Sequence, residues 1–73
     1  MFDYKIFGSR LEKLRKEKGI SATALAKVLG VSSTQIGDME RGNSATTMPR
    51  LYHLCVYFGV SADYLLGLKD EEN

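Results

Sequence analysis

Residues Leu25 to Gly42 read LAKVLGVSSTQIGDMERG, and this stretch decides the fold. One short helical pattern ends at Gly30, and a second follows Ser32 and ends at Arg41-Gly42. Glycine commonly ends helices, and serine commonly caps their N-termini. The stretch therefore predicts two short helices joined by a tight turn, which the rest of the chain must help to bury.

Apolar residues recur every three or four positions on both sides of this stretch, which is the spacing of one helix face. Together with the glycines and the capping residues, this spacing predicts five helices, at about Phe7–Lys18, Ala22–Leu29, Ser33–Arg41, Thr47–Phe58 and Ala62–Leu66. The predicted inward-facing residues are Phe7, Leu11, Leu14, Leu25, Ala26, Leu29, Ile36, Met39, Glu40, Leu51, Leu54, Cys55 and Phe58.

The composition is that of an ordinary folded domain. The chain has 73 residues, of which 44% are hydrophobic and 26% charged, so neither a disordered nor a fibrous protein is indicated. No apolar run approaches the roughly 20 residues that a membrane span needs, and the N-terminus lacks a signal peptide. We expect one compact all-α domain in the cytoplasm.

Catalysis and metal binding have little support in the sequence. Cys55 is the only cysteine, so it cannot form an internal disulfide, and His53 is the only histidine. No glycine-rich phosphate loop or pair of carboxylates in an apolar setting accompanies them. We expect a core-filling cysteine, a surface histidine, no enzyme activity, no cofactor, no metal and no small-molecule substrate.

The two ends of the chain lie outside the helical pattern. Phe2, Tyr4 and Ile6 alternate with polar residues, so residues 1–6 form either a short extended arm or a frayed end anchored by one aromatic ring. Residues 68–73 indicate a solvated acidic tail, which leaves residues 7–67 as the helical domain.

Charge is unevenly distributed, although the formal net charge is only +1. The first helix has five basic residues against two acidic ones, whereas Lys69 to Asn73 has three acidic residues against one lysine. A basic end and an acidic end would orient the approach to a polyanion.

Several segments together resemble one family, namely Leu11-Glu12-Lys13-Leu14-Arg15, Leu29-Gly30-Val31-Ser32, Glu40-Arg41-Gly42 and the run from Gly59 to Gly67. In their order and spacing they are similar to the XRE family of helix-turn-helix proteins, the phage repressor and Cro type. The resemblance implies a third helix in the major groove of DNA, often in a symmetric dimer on a palindromic operator. It also implies an ion pair between Arg15 and Glu40, which would give a buried carboxylate its guanidinium partner.

The resemblance places the base-contacting positions at Ser33, Thr34, Gln35, Gly37 and Asp38. It implies contacts to the DNA backbone from Ser21, Ala22, Lys27, Ser32, Arg41, Asn43, Ser44 and Arg50, with Arg10 as a further cationic candidate. Ala22 stands where family members often have glutamine, so backbone N–H groups would bind phosphate there. No base-facing position is Arg or Lys, so a bidentate bond to guanine is not expected from the third helix. Asp38 would either accept from cytosine or repel phosphate.

Apolar residues beside the core face of the last two helices predict an exposed patch, which would serve as a homodimer interface. They are Tyr52, Val56, Tyr57, Tyr64, Leu65 and Leu68. Alternatively, the same residues cover the core of a small domain and the N-terminal arm.

Two functions follow from these observations. The first is a DNA-binding transcriptional regulator, a small repressor that occupies an operator as a dimer. The second is a protein-interaction module or antagonist on the same scaffold, in which the third helix no longer binds DNA.

Overall fold

The computed structural model describes all residues, 1–73, and contains five helices and no strand. They are α1 (Tyr4–Lys18), α2 (Ala22–Leu29), α3 (Ser33–Glu40), α4 (Met48–Phe58) and α5 (Ala62–Leu66). The predicted all-α, five-helix architecture is confirmed. The bounds of α2 and α5 agree with those predicted, while α3 ends one residue earlier, with Arg41 as its C-cap.

Each helix after α1 starts at a hydroxyl side chain. Ser21, Ser32, Thr47 and Ser61 each accept a hydrogen bond from a backbone N–H in the first turn of the helix that follows. The turn between α2 and α3 begins at Gly30, whose φ of 71° lies in the left-handed region that glycine adopts without strain. These local signals explain why α2 and α3 are separated by only a short turn.

The N-terminal residues form the first turn of α1. Asp3 caps this helix, because its side chain accepts hydrogen bonds from the backbone N–H groups of Lys5 (2.9 Å) and Ile6 (3.2 Å). The extended arm predicted for residues 1–6 is therefore wrong. The alternative was a frayed end anchored by one aromatic ring. The anchoring ring is present, since the Phe2 ring packs with its centroid 5.9 Å from that of Phe7, but the residues that follow are helical and not frayed.

One apolar core joins all five helices. Its buried residues are Phe7, Leu11, Leu14, Leu25, Ala26, Leu29, Ile36, Met39, Leu54, Val60, Tyr64 and Leu65. The apolar residues predicted to face inward from the first three helices are all buried, and Glu40 is partly buried, with 6% of its side chain exposed. On α4 only Leu54 is fully buried, whereas Leu51, Cys55 and Phe58 are partly buried against the core. Val60 and two residues of α5, Tyr64 and Leu65, complete the core.

Gly8 allows α1 to lie directly against the C-terminal end of α3. A β-carbon at this position would overlap the backbone carbonyl oxygen of Met39 and would lie 2.7 Å from that of Glu40. Neither oxygen can move unless the end of α3 shifts. This contact was not predicted, although a glycine inside a helical pattern commonly has a packing reason.

The C-terminal tail is exposed but held against α1. Arg10 donates a hydrogen bond to the carbonyl oxygen of Lys69 (2.7 Å) and forms an ion pair with Asp70 (3.2 Å). Glu72 approaches the Lys13 ammonium at 3.5 Å. The basic run of α1 and the acidic tail, which are far apart in the sequence, therefore lie side by side in the fold.

Candidate nucleic-acid interface

The helix α3 turns one face to the core and the other to solvent. Ile36 and Met39 are buried against α1 and α2, whereas Thr34 and Arg41 are exposed on the opposite side. This division follows from the helical period of 3.6 residues. It leaves a polar helix face outside the domain, in the position of the second helix of a helix-turn-helix motif.

The predicted ion pair joins α1 to the end of α3. The Arg15 guanidinium donates two hydrogen bonds to the Glu40 carboxylate, from Nε to Oε2 (2.6 Å) and from Nη2 to Oε1 (3.0 Å). Only 14% of the Arg15 side chain and 6% of the Glu40 side chain are exposed. Arg15 also donates to the carbonyl oxygen of Ile20 (3.0 Å), so the same group holds the entrance to α2.

The hydrogen bonds from Arg15 to Glu40 raise the pKa of the guanidinium, although burial acts in the opposite direction. A basic group whose pKa is raised on folding stabilises the fold at every pH below its unfolded pKa. The contribution of Arg15 is therefore fully present at neutral pH and is lost only in strong alkali.

A reciprocal capping box fixes the start of α3. The Ser32 hydroxyl accepts from the N–H of Gln35, and the Gln35 side-chain oxygen accepts from the N–H of Ser32, both at 3.1 Å. The spacing Ser-x-x-Gln in the sequence is typical of this motif. The sequence predicted Ser32 as the N-cap but not the return hydrogen bond to the Gln35 side chain. Both residues therefore stabilise the helix, and the side-chain NH₂ of Gln35 remains free for a ligand.

The start of α2 presents free backbone donors. Ser21 accepts from the N–H of Ala24 (3.0 Å), while the N–H groups of Ala22 and Thr23 make no hydrogen bond within the protein. Such N–H groups favour anions at a helix start even without a cationic side chain. Ala22 does not prevent a phosphate contact here.

Three residues on the exposed side of α3 form one unit. The Arg41 guanidinium folds back along the helix and donates from Nη2 to the Asp38 carboxylate at 2.8 Å. A β-carbon added to Gly37 would lie 2.9 Å from Nη1 of Arg41, so the guanidinium occupies the space above this glycine. Arg41, the C-cap residue, therefore places its guanidinium on the same face of α3 as Gly37 and Asp38.

The remaining predicted contact residues lie around α3. Gln35, Ser44 and Arg50 line one shallow groove between α3 and the connector to α4, while Lys27 and Asn43 are exposed. A further cation was missed by sequence reasoning. Lys5 lies against the end of α3, since a β-carbon on Gly42 would be 2.8 Å from its Cγ.

Arg10 is not available as a cationic contact. Its Nη1 donates to the carbonyl oxygen of Tyr64 (2.5 Å), and its guanidinium lies 4.4 Å from the centre of the Tyr64 ring. These contacts, together with those to the tail, hold Arg10 against α5. Its role is to tie α1 to the C-terminus.

The predicted dimer patch is only partly exposed. Tyr64 and Leu65 are 5% and 0% exposed, so their assignment to an exposed patch is wrong. The alternative, that they cover the core, is confirmed for these two residues. A five-residue helix must bury its apolar face to stay folded, which explains the error. Tyr57 is half-buried beneath Lys18, whereas Tyr52, Val56 and Leu68 are exposed.

Exposed apolar residues form a strip along α4 that extends beyond the predicted patch. Met48, Tyr52 and Val56 are spaced four residues apart and are 80%, 72% and 64% exposed. An apolar groove that includes Leu51 and Leu66 borders this strip. The exposed face of α4 is therefore an apolar surface that these helices leave uncovered.

Cys55 and His53 show no feature of a reactive site. Burial raises the pKa of the half-buried Cys55 thiol, which keeps it protonated at neutral pH. His53 is exposed, and no three His, Cys, Asp or Glu side chains come together to hold a metal ion. None of the five helices has the length and the apolar character required to cross a membrane.

The sequence and the fold both match known proteins. Residues 11–65 match the family model HTH_3, described as Helix-turn-helix. The P22 c2 repressor protein, solved in complex with the synthetic operator 9T, is 34% identical with a TM-score of 0.78, covering 84% of this chain and 92% of its own. The restriction-modification controller protein C.AhdI from Aeromonas hydrophila is 30% identical with a TM-score of 0.75, covering 86% of this chain and 91% of its own.

Curated relatives are regulators of different lengths. The HTH-type transcriptional regulator PrpR of Mycobacterium tuberculosis is 39% identical over 63 residues, which is 86% of this chain but only 13% of PrpR. The match to the prophage-derived regulator YonR of Bacillus subtilis spans 56% of that protein, whereas the match to the regulator YazB of the same species, at 34% identity, spans 84% of this chain and 88% of YazB. The chain therefore belongs to the Helix-turn-helix family HTH_3.

Proposed function

We propose that this chain acts as a transcriptional repressor that inserts α3 into the major groove of operator DNA. The observation that carries the proposal is the exposed polar face of α3, held outward by the buried pair of Arg15 and Glu40. The P22 c2 repressor, which has the same fold, was solved in complex with a synthetic operator. A repressor must reach the DNA that it controls, so a cytoplasmic location is part of the proposal.

The proposed base contacts lie on and beside the exposed side of α3, at Ser33, Thr34, Gln35, Gly37 and Asp38. The proposed backbone contacts are Ser21, Ala22, Lys27, Ser32, Arg41, Asn43, Ser44 and Arg50. Many of these are neutral donors, including the free N–H groups at the start of α2. Neutral donors position a protein on DNA without adding charge, which is compatible with a net charge of only +1.

The protein is further proposed to bind a palindromic operator as a homodimer through the exposed strip on α4. Tyr52 and Val56 from the predicted patch belong to this strip, and Met48 extends it. Analytical ultracentrifugation tests the proposal. Tyr52→Glu should convert the dimer to monomer, whereas His53→Glu, on the next exposed residue, should leave the dimer intact. A monomeric wild-type protein at all accessible concentrations would exclude this interface.

The low net charge and the Asp38 carboxylate on α3 favour one alternative, a protein-interaction module or antagonist on the same scaffold. The salt dependence of DNA binding distinguishes the two functions. A protein that contacts six or more phosphates loses about 1,000-fold or more in affinity between 50 and 200 mM salt. The repressor proposal predicts a steep loss of this kind, and the alternative predicts weak binding with little dependence on salt.

The test needs a variant that affects α3 alone. Thr34→Glu adds one negative charge to the exposed face of α3 and should abolish binding to a randomised duplex pool. Asn73→Glu adds the same charge at the exposed C-terminus, near the tail residues that contact α1, and should change binding little. Equal effects of the two substitutions, or no measurable binding by the wild-type protein, would contradict the proposal.

A further inference from the structure

The exposed face of α3 contains one arginine whose position is set by its neighbours. Thr34, Gly37, Asp38 and Arg41 follow one another at the spacing of a single helix face, opposite the buried Ile36 and Met39. Arg41 lies one turn beyond Gly37. Its guanidinium is therefore carried on the face that the proposed function places in the major groove.

Gly37 makes this position possible. A β-carbon at residue 37 would lie 2.9 Å from Nη1 of Arg41 and 3.5 Å from both Cζ and Nη2. Such distances mean that any side chain at this position would push the guanidinium away from the helix surface. Gly37 thus has a local role that explains why a residue with poor helix propensity stands inside a helix of eight residues.

Asp38 orients the same guanidinium. Its Oδ1 accepts from Nη2 at 2.8 Å, which uses one of the five N–H donors of the arginine. The other four N–H donors make no hydrogen bond within the protein, and the carboxylate neutralises part of the charge. An exposed ion pair of this kind is weak, because 63% of the Arg41 side chain and 40% of the Asp38 side chain are in contact with solvent. It biases the arginine toward one orientation and leaves it free to bind.

We propose that Arg41 is a specificity-determining residue that recognises guanine in the operator, with Gly37 providing its space and Asp38 its orientation. A fork of free N–H donors matches the O6 and N7 acceptors of guanine in the major groove. This proposal rests on the proposed function and deepens it, since Arg41 was otherwise assigned to the DNA backbone. It also gives Asp38 a partner within the protein, so its carboxylate need not face the DNA unpaired.

The test compares wild type and variants on a panel of duplexes. The panel consists of the best site selected from random DNA and of every single base-pair change in it. Wild type should prefer guanine at one position per half-site by about 5- to 150-fold. Arg41→Ala should reduce that ratio to nearly one at this position and leave the preferences at other positions unchanged.

Two further variants keep the result interpretable. Gly37→Ala retains both charged residues but displaces the guanidinium, so it should weaken the same single preference. Arg50→Ala, at a proposed phosphate contact, should lower affinity for all sequences alike and reduce the salt slope by about one. Circular dichroism should show an unchanged fold for all three, because none of these side chains is buried.

The outcomes separate this proposal from the proposed function. If Arg41→Ala behaves like Arg50→Ala, with uniform weakening and intact base preference, Arg41 contacts phosphate and the proposal is overturned. If the wild-type protein selects no sequence at all, the repressor function itself fails. Loss of one guanine preference in Arg41→Ala, with the base preferences at other positions retained, supports both the role of Arg41 and the repressor function.

Discussion

Two arginine–carboxylate pairs lie on opposite sides of α3, and they differ in burial and in the number of hydrogen bonds that join them. The side chains of Arg15 and Glu40 are 14% and 6% exposed and are joined by two hydrogen bonds, whereas those of Arg41 and Asp38 are 63% and 40% exposed and are joined by one. The buried pair has replaced water on both partners, so removal of one partner leaves a stranded charge. The exposed pair keeps its water, so it can be broken at little loss of stability. The first pair holds α3 in place, and the second is free to meet a ligand.

Two glycines repeat this division. Gly8 faces the backbone of α3, and Gly37 faces the end of a flexible arginine side chain. Both stand inside helices, where glycine is unfavourable by about 1 kcal/mol relative to alanine. Glycine therefore allows close backbone packing on the inner side of α3 and leaves space for an arginine side chain on the outer side.

The largest expected effect is on the buried pair. Arg15→Ala should lower the free energy of unfolding by about 3–5 kcal/mol, because the Glu40 carboxylate would remain buried without a partner. Arg41→Ala is the matched control and should change stability by less than about 0.5 kcal/mol. Urea denaturation of both variants measures the difference. Equal losses would show that the two sides of α3 do not differ as described.

A rescue experiment sharpens this prediction. Replacement of both partners, Arg15→Met with Glu40→Leu, should recover most of the stability lost in Arg15→Ala, because no charge is then stranded. A double variant as unstable as the single one would instead place the effect in the lost hydrogen bond to Ile20.

The two glycines give the next largest effect. Gly8→Ala should destabilise the fold by about 1–3 kcal/mol, because its β-carbon would overlap the backbone carbonyl of Met39. Gly37→Ala should stabilise it by about 0.5–1 kcal/mol through helix propensity, since the arginine can swing away. Thermal unfolding measures both midpoints. The same sign for both substitutions would contradict the assigned contacts.

The smallest expected effect concerns Asp38. Asp38→Ala should leave stability within about 0.5 kcal/mol and raise affinity for all DNA sequences slightly, because it removes a negative charge from the DNA-facing side. The preference for guanine assigned to Arg41 should weaken at the same time. If Asp38→Ala instead removes a preference for cytosine at a separate position, Asp38 contacts a base directly.

The sequence predicted what is encoded locally. Gly30 and Ser32 placed the turn between α2 and α3, because capping and left-handed glycine act within a few residues. The pair of Arg15 and Glu40 followed from the family resemblance. Contacts between distant residues were not accessible, including the approach of Gly8 to Met39. The sequence left open whether Tyr64 and Leu65 form an exposed patch or cover the core, because a helix of five residues is too short to show a period.

The orientation of Arg41 could be predicted only in part from the sequence. Its spacing from Gly37 and Asp38 could be read, but only coordinates show that the guanidinium folds back over the glycine. The same applies to the tail, whose contact with Arg10 joins residues far apart in the chain.

The most direct test of the central claim, that α3 carries a DNA-reading face, is selection of binding sites by the wild-type protein from a random double-stranded DNA pool. We expect enrichment of two inverted half-sites, each with a guanine that the Arg41→Ala variant no longer requires. A pool that remains random after repeated selection at low salt would contradict it.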